Sequence, residues 1–548
     1  MAWRILLLLA PTTGFSHDLH IRDNISIPIP PGFTALSPSL PGKLVVTSFE
    51  ATPFIGKNGV FMADVGKTSG PAQELPGSNA INWPNSITVV GAEVFGFPAV
   101  ALGDGFLVPS HTTGGVWIME ASPEPQTLKQ PDAWKLREVY NCFTSSHECV
   151  ALSHHLSCCD ISFDMAPLGT RSALGILGLF LQGQRQILTE VKISQDRSGW
   201  FYHQAHFVDI DGDGLLDVVT ARCQYAVWPW AKKQGELVWL KQPSKDALSG
   251  DSWQEHPMGE GPDFLFCVRP GKPFSLVAPE FITGQVVYWF MKDKKMKKRV
   301  LDTSIGPGFS CSWSDLNNDG HLDLLVTNHA MQNGSVFAYT FSSDDIETAS
   351  ISRHILASGF TPSKVKKGNG SPGDALPFHP LLNETGTKPH IFVSGDNSNS
   401  IFLLTPISQS SDNWTYHKEE VADLGADIGR PSIGDVDNDG FADIFVPLYN
   451  AKEVAHYTFV SLAVQILKRE AQDKALHAFT IGSSAVISGH QAKGTLLADH
   501  VHDFRVGRSA MKHLHFAVLG FGSSVYVRTS AQRHPGIAVC VGIIIELK

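Results

Sequence analysis

His206 to Arg222 reads HFVDIDGDGLLDVVTAR, four aspartates within nine residues followed at once by apolar, β-branched sequence. Asp209, Asp211, Asp213 and Asp217 fill positions 1, 3, 5 and 9 of a D-x-D-x-D-G-x-x-D loop whose position 6 is Gly214. Carboxylates this close repel one another unless a cation neutralises them. Ca2+ takes oxygen ligands from alternate positions of such a loop, together with the position 7 carbonyl, here that of Leu215. An EF-hand would need a bidentate Glu at position 12 and a helix on either side. Position 12 is Thr220, and LDVVTAR has the composition of a strand, so the unit is expected as strand, calcium loop, strand.

The loop recurs twice. SDLNNDGHLDLLVTNH supplies Asp315, Asn317, Asp319 and Asp323, with His321 at position 7. GDVDNDGFADIFVPLYN supplies Asp435, Asp437, Asp439 and Asp443, with Phe441 at position 7. Position 12 is then Val326 and Val446, so the EF-hand pattern fails in every copy. A single copy could be a solvated Asp/Asn/Gly turn. Three copies with matching acids favour three structural Ca2+ sites.

The chain has 548 residues, 43% hydrophobic and 18% charged, which fits a globular protein rather than a disordered one. Its formal net charge is −10, and the three loops alone hold eleven aspartates. That sign argues against a nucleic-acid partner, and no basic run of the usual kind is expected. MAWRILLLLAPTTGFSHD has the layout of a secretory signal peptide over residues 1–16. Sequons at Asn24, Asn333, Asn369, Asn383 and Asn413 fit a secreted, extracellular glycoprotein. No transmembrane segment is expected: GIAVCVGIIIEL is too short and carries Glu546. Four of the eight cysteines, Cys142, Cys149, Cys158 and Cys159, cluster among histidines at spacings that favour local disulfides over a zinc site. Oligomeric state and disulfide pairing stay open.

A second feature extends the series: a strand ending three residues beyond a valine, a short turn, then a partner strand with an aromatic. Alignment on Val46, Val108, Val219, Val277, Val326, Val393 and Val446 gives seven units, most of them about 50 to 65 residues apart. Short strands at that period predict an all-β, seven-bladed β-propeller over residues 17–460 with calcium loops in three blades. Each loop would join the innermost strand of its blade to the second. The last blade lacks a fourth strand, which residues near Ile21 to Ile29 are expected to provide. An insertion at about 121–200 and a C-terminal extension, 461–548, fall outside the period.

The loops and their following strands resemble the FG-GAP/VCBS repeat family, which includes the integrin α-chain propeller. The resemblance implies Ca2+ on one face and side-chain ligands at the twelve Asp and Asn positions named above. Family members include adhesion proteins, sugar-binding modules and a few carbohydrate-active enzymes, so membership leaves function open.

The opposite face is where the second strands end. Candidate acid/base groups or ligands for an additional metal there are His111, Arg222, Glu280, His329 and Asp396, with His203 just before an inner strand. Two readings follow. One is a binding or adhesion module for carbohydrate or extracellular protein. The other is a sugar lyase or dehydratase at the channel mouth, resembling at fold level the propeller of fungal aldos-2-ulose dehydratases. An enzyme should bring His203, Arg222 and His329 together in a deep pocket; a binding module should show an aromatic rim.

Overall fold

A computed structural model describes residues 19–29, 36–40, 42–49, 58–65, 71–81, 84, 86–90, 99–103, 115–120, 130–141, 171–172, 175–178, 189–195, 197–198, 201–224, 234–244, 253–261, 265–293, 295–382, 384–449, 451, 453–461, 525–529 and 543–547. Among them, strands form seven four-stranded antiparallel sheets and three two-stranded pairs, and helix is confined to single 3-10 turns.

The first sheet comprises Leu36–Leu40, Lys43–Ser48, Gly59–Asp64 and Gln73–Glu74, and the second Ser86–Val90, Ala99–Gly103, Gly115–Glu120 and Lys135–Asn141. The third comprises Phe201–Val208, Asp217–Gln224, Gln234–Lys241 and Gln254–Glu260. The fourth runs Cys267–Val268, Ser275–Pro279, Val286–Lys292 and Lys295–Asp302. In the fifth are Gly308–Ser314, Asp323–Asn328, Gly334–Phe341 and Ile351–Phe360, and in the sixth Ala375–Phe378, His390–Ser394, Ser400–Pro406 and Tyr416–Asp423. The seventh takes Ser432–Gly434, Asp443–Pro447 and Glu453–Ser461 from one end of the chain and Leu19–Pro28 from the other.

Second strands such as SLVAP, DLLVTN, HIFVS and DIFVP are buried at every residue. A strand covered on both faces loses the in-out alternation and becomes a continuous apolar run. Outer strands instead alternate or stay polar, as in KMKKRVLD and YHKEEVAD. Successive sheets stack face to face: Val219 and Leu237 of the third meet Leu276 and Val287 of the fourth. Val277 and Tyr288 of the fourth meet Leu324 and Val326 of the fifth, and Leu325 and Val336 meet Ile391 and Val393 of the sixth. The first packs on the second through Val45, Met62, Val100 and Leu102. The sixth and seventh are tied by Ala442 N–H to the Pro380 carbonyl at 2.8 Å.

The seventh sheet then packs on the first, where Ile27, Val436 and Phe445 share a core with Leu44 and Val46. The N-terminal strand therefore sits where the sequence places it, beside Glu453–Ser461, with Ser26 Oγ hydrogen-bonded to Glu453. Burying Ile27, fully enclosed, contributes about 1.5–3 kcal/mol to holding it there.

One alignment fails. In the second sheet the second strand is Ala99–Gly103, paired Val100 to Met119 and Leu102 to Trp117, in the place where the alignment expects FLVPSH. AVAL offers four apolar residues small enough to be covered on both faces, all at most 6% exposed. Val108 and His111 lie outside the described residues.

Lys135–Asn141 is the outer strand of that sheet, so the first part of the expected insertion belongs to it. Within the remainder, Gly175–Gly178 pairs with Thr189–Lys192 and Arg171–Ser172 with Arg197–Ser198. The cysteine cluster at 142–159 and residues 1–16 lie outside the described residues. A disulfide not expected from the sequence, Cys267–Cys311, joins the innermost strands of the fourth and fifth sheets.

By compactness the chain divides into residues 22–458 and a second unit of 1–21 with 459–548. Described parts of the second unit include an antiparallel pair, Val525–Thr529 with Ile543–Leu547. Among the described residues no helix is long and apolar enough to cross a membrane.

Candidate functional site

The three acidic loops have one hydrogen-bond plan. The position 6 N–H reaches the position 1 carboxylate: Gly214 to Asp209 at 3.3 Å, Gly320 to Asp315 at 2.8 Å and Gly440 to Asp435 at 3.1 Å. The position 7 N–H donates to position 5: Leu215 to Asp213 at 2.9 Å, His321 to Asp319 at 2.8 Å and Phe441 to Asp439 at 3.0 Å. The position 2 N–H donates to position 9: Ile210 to Asp217, Leu316 to Asp323 and Val436 to Asp443, at 3.3, 3.0 and 2.8 Å. Position 6 has φ of 87°, 88° and 87°, the left-handed region that favours glycine.

The first and third loops gather carboxylates at positions 1, 3 and 5 within 4.8 Å of one another. Position 9 is buried in all three, and burial pushes Asp217 up and Asp323 up to about 7. Asp435 is raised by burial as well, and its Oδ1 is enclosed with no hydrogen-bond partner among the described residues. Such acceptors fit a hard cation, which needs several oxygens and would reverse those upward shifts. Residues that could hold it are Asp209, Asp211, Asp213 and Asp217; Asp315, Asn317, Asp319 and Asp323; and Asp435, Asp437, Asp439 and Asp443.

The loops differ in what else reaches them. Lys241 Nζ donates to Asp213 at 2.7 Å and also to Asp211, while Lys272 Nζ lies 2.8 Å from Asp209. Those ammoniums hold Asp209 and Asp213 below the usual carboxylate range. In the third loop the buried His456 Nε2 lies 3.0 Å from Asp443 Oδ1. Neither the lysines nor the histidine belongs to the loop motif, so nothing in the motif predicted them.

At the other end of the second strands, two of the expected residues meet. His329 Nε2 and Asp396 Oδ2, from the fifth and sixth sheets, are 2.7 Å apart. His329 follows the strand Asp323–Asn328 that begins at its loop, so pair and loop are separated by a strand length of roughly 20 Å. The imidazole stacks on Phe309 at 4.9 Å and 22°, and Phe281, 37% exposed, lies 6.1 Å away. A Cβ at Gly370 would come within 2.3 Å of His329 Nδ1, so only glycine leaves room for the ring. Asp396 is held at φ 49° and its carbonyl accepts from Ile428 N–H at 3.2 Å, which ties it to the connection leading into the seventh sheet. Nearby, Asp374 is raised by burial, opposed by Arg430, which lies 3.7 Å away.

Of the other expected residues, Arg222 and Glu280 have described side chains, and both are engaged with other partners. Arg222 is fully buried and its guanidinium is committed to Glu236 at 2.7 Å and Glu255 at 2.8 Å. Glu280, 3% exposed, accepts a hydrogen bond from Thr283 and packs over Gly261. His203 sits at a register shift between Tyr202 and Gln204, and its side chain lies outside the described residues. Gln204 bridges sheets, donating to the Phe266 carbonyl and accepting from Phe266 N–H at 2.8 Å. Phe281 and Gly370 were not anticipated because they lie in connections, and Phe309 because it lies at the start of an innermost strand while the repeat was aligned on the second strands.

No protein-family model matches this chain, and no curated protein matches it either. Among solved structures, the Dos1 propeller is similar at 8% identity with a TM-score of 0.37, over 82% of this chain and 96% of that one. A putative 6-phosphogluconolactonase from Bacteroides fragilis is similar at 12% identity with a TM-score of 0.33, over 72% of this chain and 85% of that one.

Proposed function

We propose that the chain is a secreted, seven-bladed β-propeller of FG-GAP/VCBS type, stiffened by Ca2+ in three loops, that binds carbohydrate on the face opposite them. The observation that carries the ligand-binding reading is the His329–Asp396 pair flanked by Phe309 and the exposed Phe281. Sugars present hydroxyls and apolar C–H faces together, and a hydrogen-bonding pair beside aromatic rings answers both. Arg222, spent on two glutamates, does not join them in an acid/base pocket. An extracellular protein is the other partner class such a rim serves.

Seven sheets, each packed on a neighbour, support the blade count. Bound in the loops, Ca2+ would neutralise the carboxylates and tie each innermost strand to the second. The Cys267–Cys311 bridge supports an oxidising compartment, and the exposed Asn333 is a sequon at a hairpin turn.

Binding of a set of defined oligosaccharides to the purified chain in calcium tests the reading. A sugar bound by the wild type and lost at least roughly ten-fold in Phe309→Ala and His329→Ala, with unchanged melting, is the expected result. No saccharide bound, or no loss in either variant, would remove it.

One feature favours the lyase or dehydratase: a carboxylate that orients an imidazole is the arrangement of a general base. Turnover of a keto sugar by the wild type, abolished in His329→Ala while binding persists, would move the assignment there.

A further inference from the structure

The outer hairpin of the fourth sheet carries KDKKMKKR, Lys292 to Arg299, in which six of eight residues are basic. That density corrects the expectation that the chain has no basic run. Lys295–Asp302 is the outermost strand of its sheet, and Lys292, Lys295, Lys297 and Lys298 are exposed on the hairpin. Beside it lies a depression of about 570 Å³ lined by Lys292, Lys297, Lys298 and Arg299 against Asp293 and Glu347.

These cations do different things. Arg299 donates to the carbonyls of Ile346 and Ala349 at 2.6 and 2.8 Å and so anchors the strand to the fifth sheet. Lys292 pairs with Glu347. Lys298 Nζ lies 5.0 Å over the Trp289 ring and 3.1 Å from the Glu260 carbonyl. Lys295 and Lys297 have no carboxylate partner among the described residues. Two residues apart on one strand, they share a side at a spacing of roughly 6.6 Å.

We propose that this hairpin binds a linear sulfated polysaccharide. An anchored, extended row of ammoniums in a chain of net charge −10 presents one local positive stripe, which suits a linear polyanion rather than a compact ion. A lipid surface would also require apolar side chains to insert. On the described hairpin Val300, 44% exposed, is the one large apolar side chain that is open. The disulfide directs the choice between polyanions, because nucleic acid is not the common one in an oxidising, extracellular setting. The hairpin turn lies at the loop end of its sheet, so this site is distinct from the His329–Asp396 rim.

The test is fluorescence anisotropy of a labelled heparin octasaccharide titrated with the full chain in calcium at low and at physiological salt. Binding should weaken with salt, and Lys295→Gln/Lys297→Gln should lower affinity roughly 30-fold at unchanged melting temperature. Lys366→Gln/Lys367→Gln, exposed lysines on another connection, should leave it unchanged. No binding at low salt, equal loss in both double variants, or equal affinity for an unsulfated uronate octasaccharide or for duplex DNA would each overturn the assignment. In the first of these cases the lysines only guard an open sheet edge.

Discussion

Asp323 shows what a single carboxylate asks of its surroundings. It is buried at the start of a strand, close to Asp315 and Asp319, and its carboxyl is pushed up to about 7, mainly by burial. A carboxyl raised on folding binds protons in the native state that the unfolded chain has lost, so without metal it subtracts stability as pH rises from about 4 to about 7. Calcium reverses that by favouring the charged form. Asp323→Asn is therefore expected to raise stability by up to about 4 kcal/mol at pH 8 in chelator and to lower it in calcium. Thermal melts in both conditions check this, and the same sign in both would sink the calcium reading of that loop. Such positions were legible because the motif fixes acids and glycine at set offsets. Arg222 was not, since a polar residue at a strand end can face water or a neighbouring strand, and here Glu236 and Glu255 lie across from it.

Strands were legible where burial on both faces left continuous apolar runs, as in DLLVTN and DIFVP. In the second sheet two such runs lie close together, and local pattern favoured FLVPSH although pairing selected AVALG. Pairing is decided by partners far along the chain, which a local pattern does not contain. The Cys267–Cys311 bridge has the same character: two cysteines 44 residues apart become neighbours only because adjacent sheets stack their innermost strands. Closing a loop of that length should be worth about 4 kcal/mol through the unfolded chain. Cys267→Ser/Cys311→Ser should lose about that much in urea unfolding under non-reducing conditions. An unmoved midpoint would mean the bridge does not form in solution.

For the whole molecule, calcium is expected to act as a set of ties and not as a nucleus of folding. Extracellular sites commonly hold the ion at about 10⁻⁴ to 10⁻³ M, which at roughly 10 mM calcium adds about 1.4–2.7 kcal/mol per loop. Removing it with EDTA should lower the melting temperature by several degrees, reversibly, with the β-sheet circular dichroism retained at low temperature. The first loop should contribute least, because Lys241 and Lys272 already neutralise part of its charge. An identical melt in EDTA and calcium would count against all three sites.

The strand Leu19–Pro28 has a consequence for the order of events during synthesis. Its partner, Glu453–Ser461, emerges from the ribosome long afterwards: Ser26 and Glu453 are 427 residues apart. At about 5–20 residues per second, that strand waits roughly 20 to 90 seconds for its neighbour. The sheets between can assemble in turn, each on the one before. The final sheet is completed by a segment translated before all of them, so the nascent protein carries an unsatisfied β-edge for as long as the sheets between are being made.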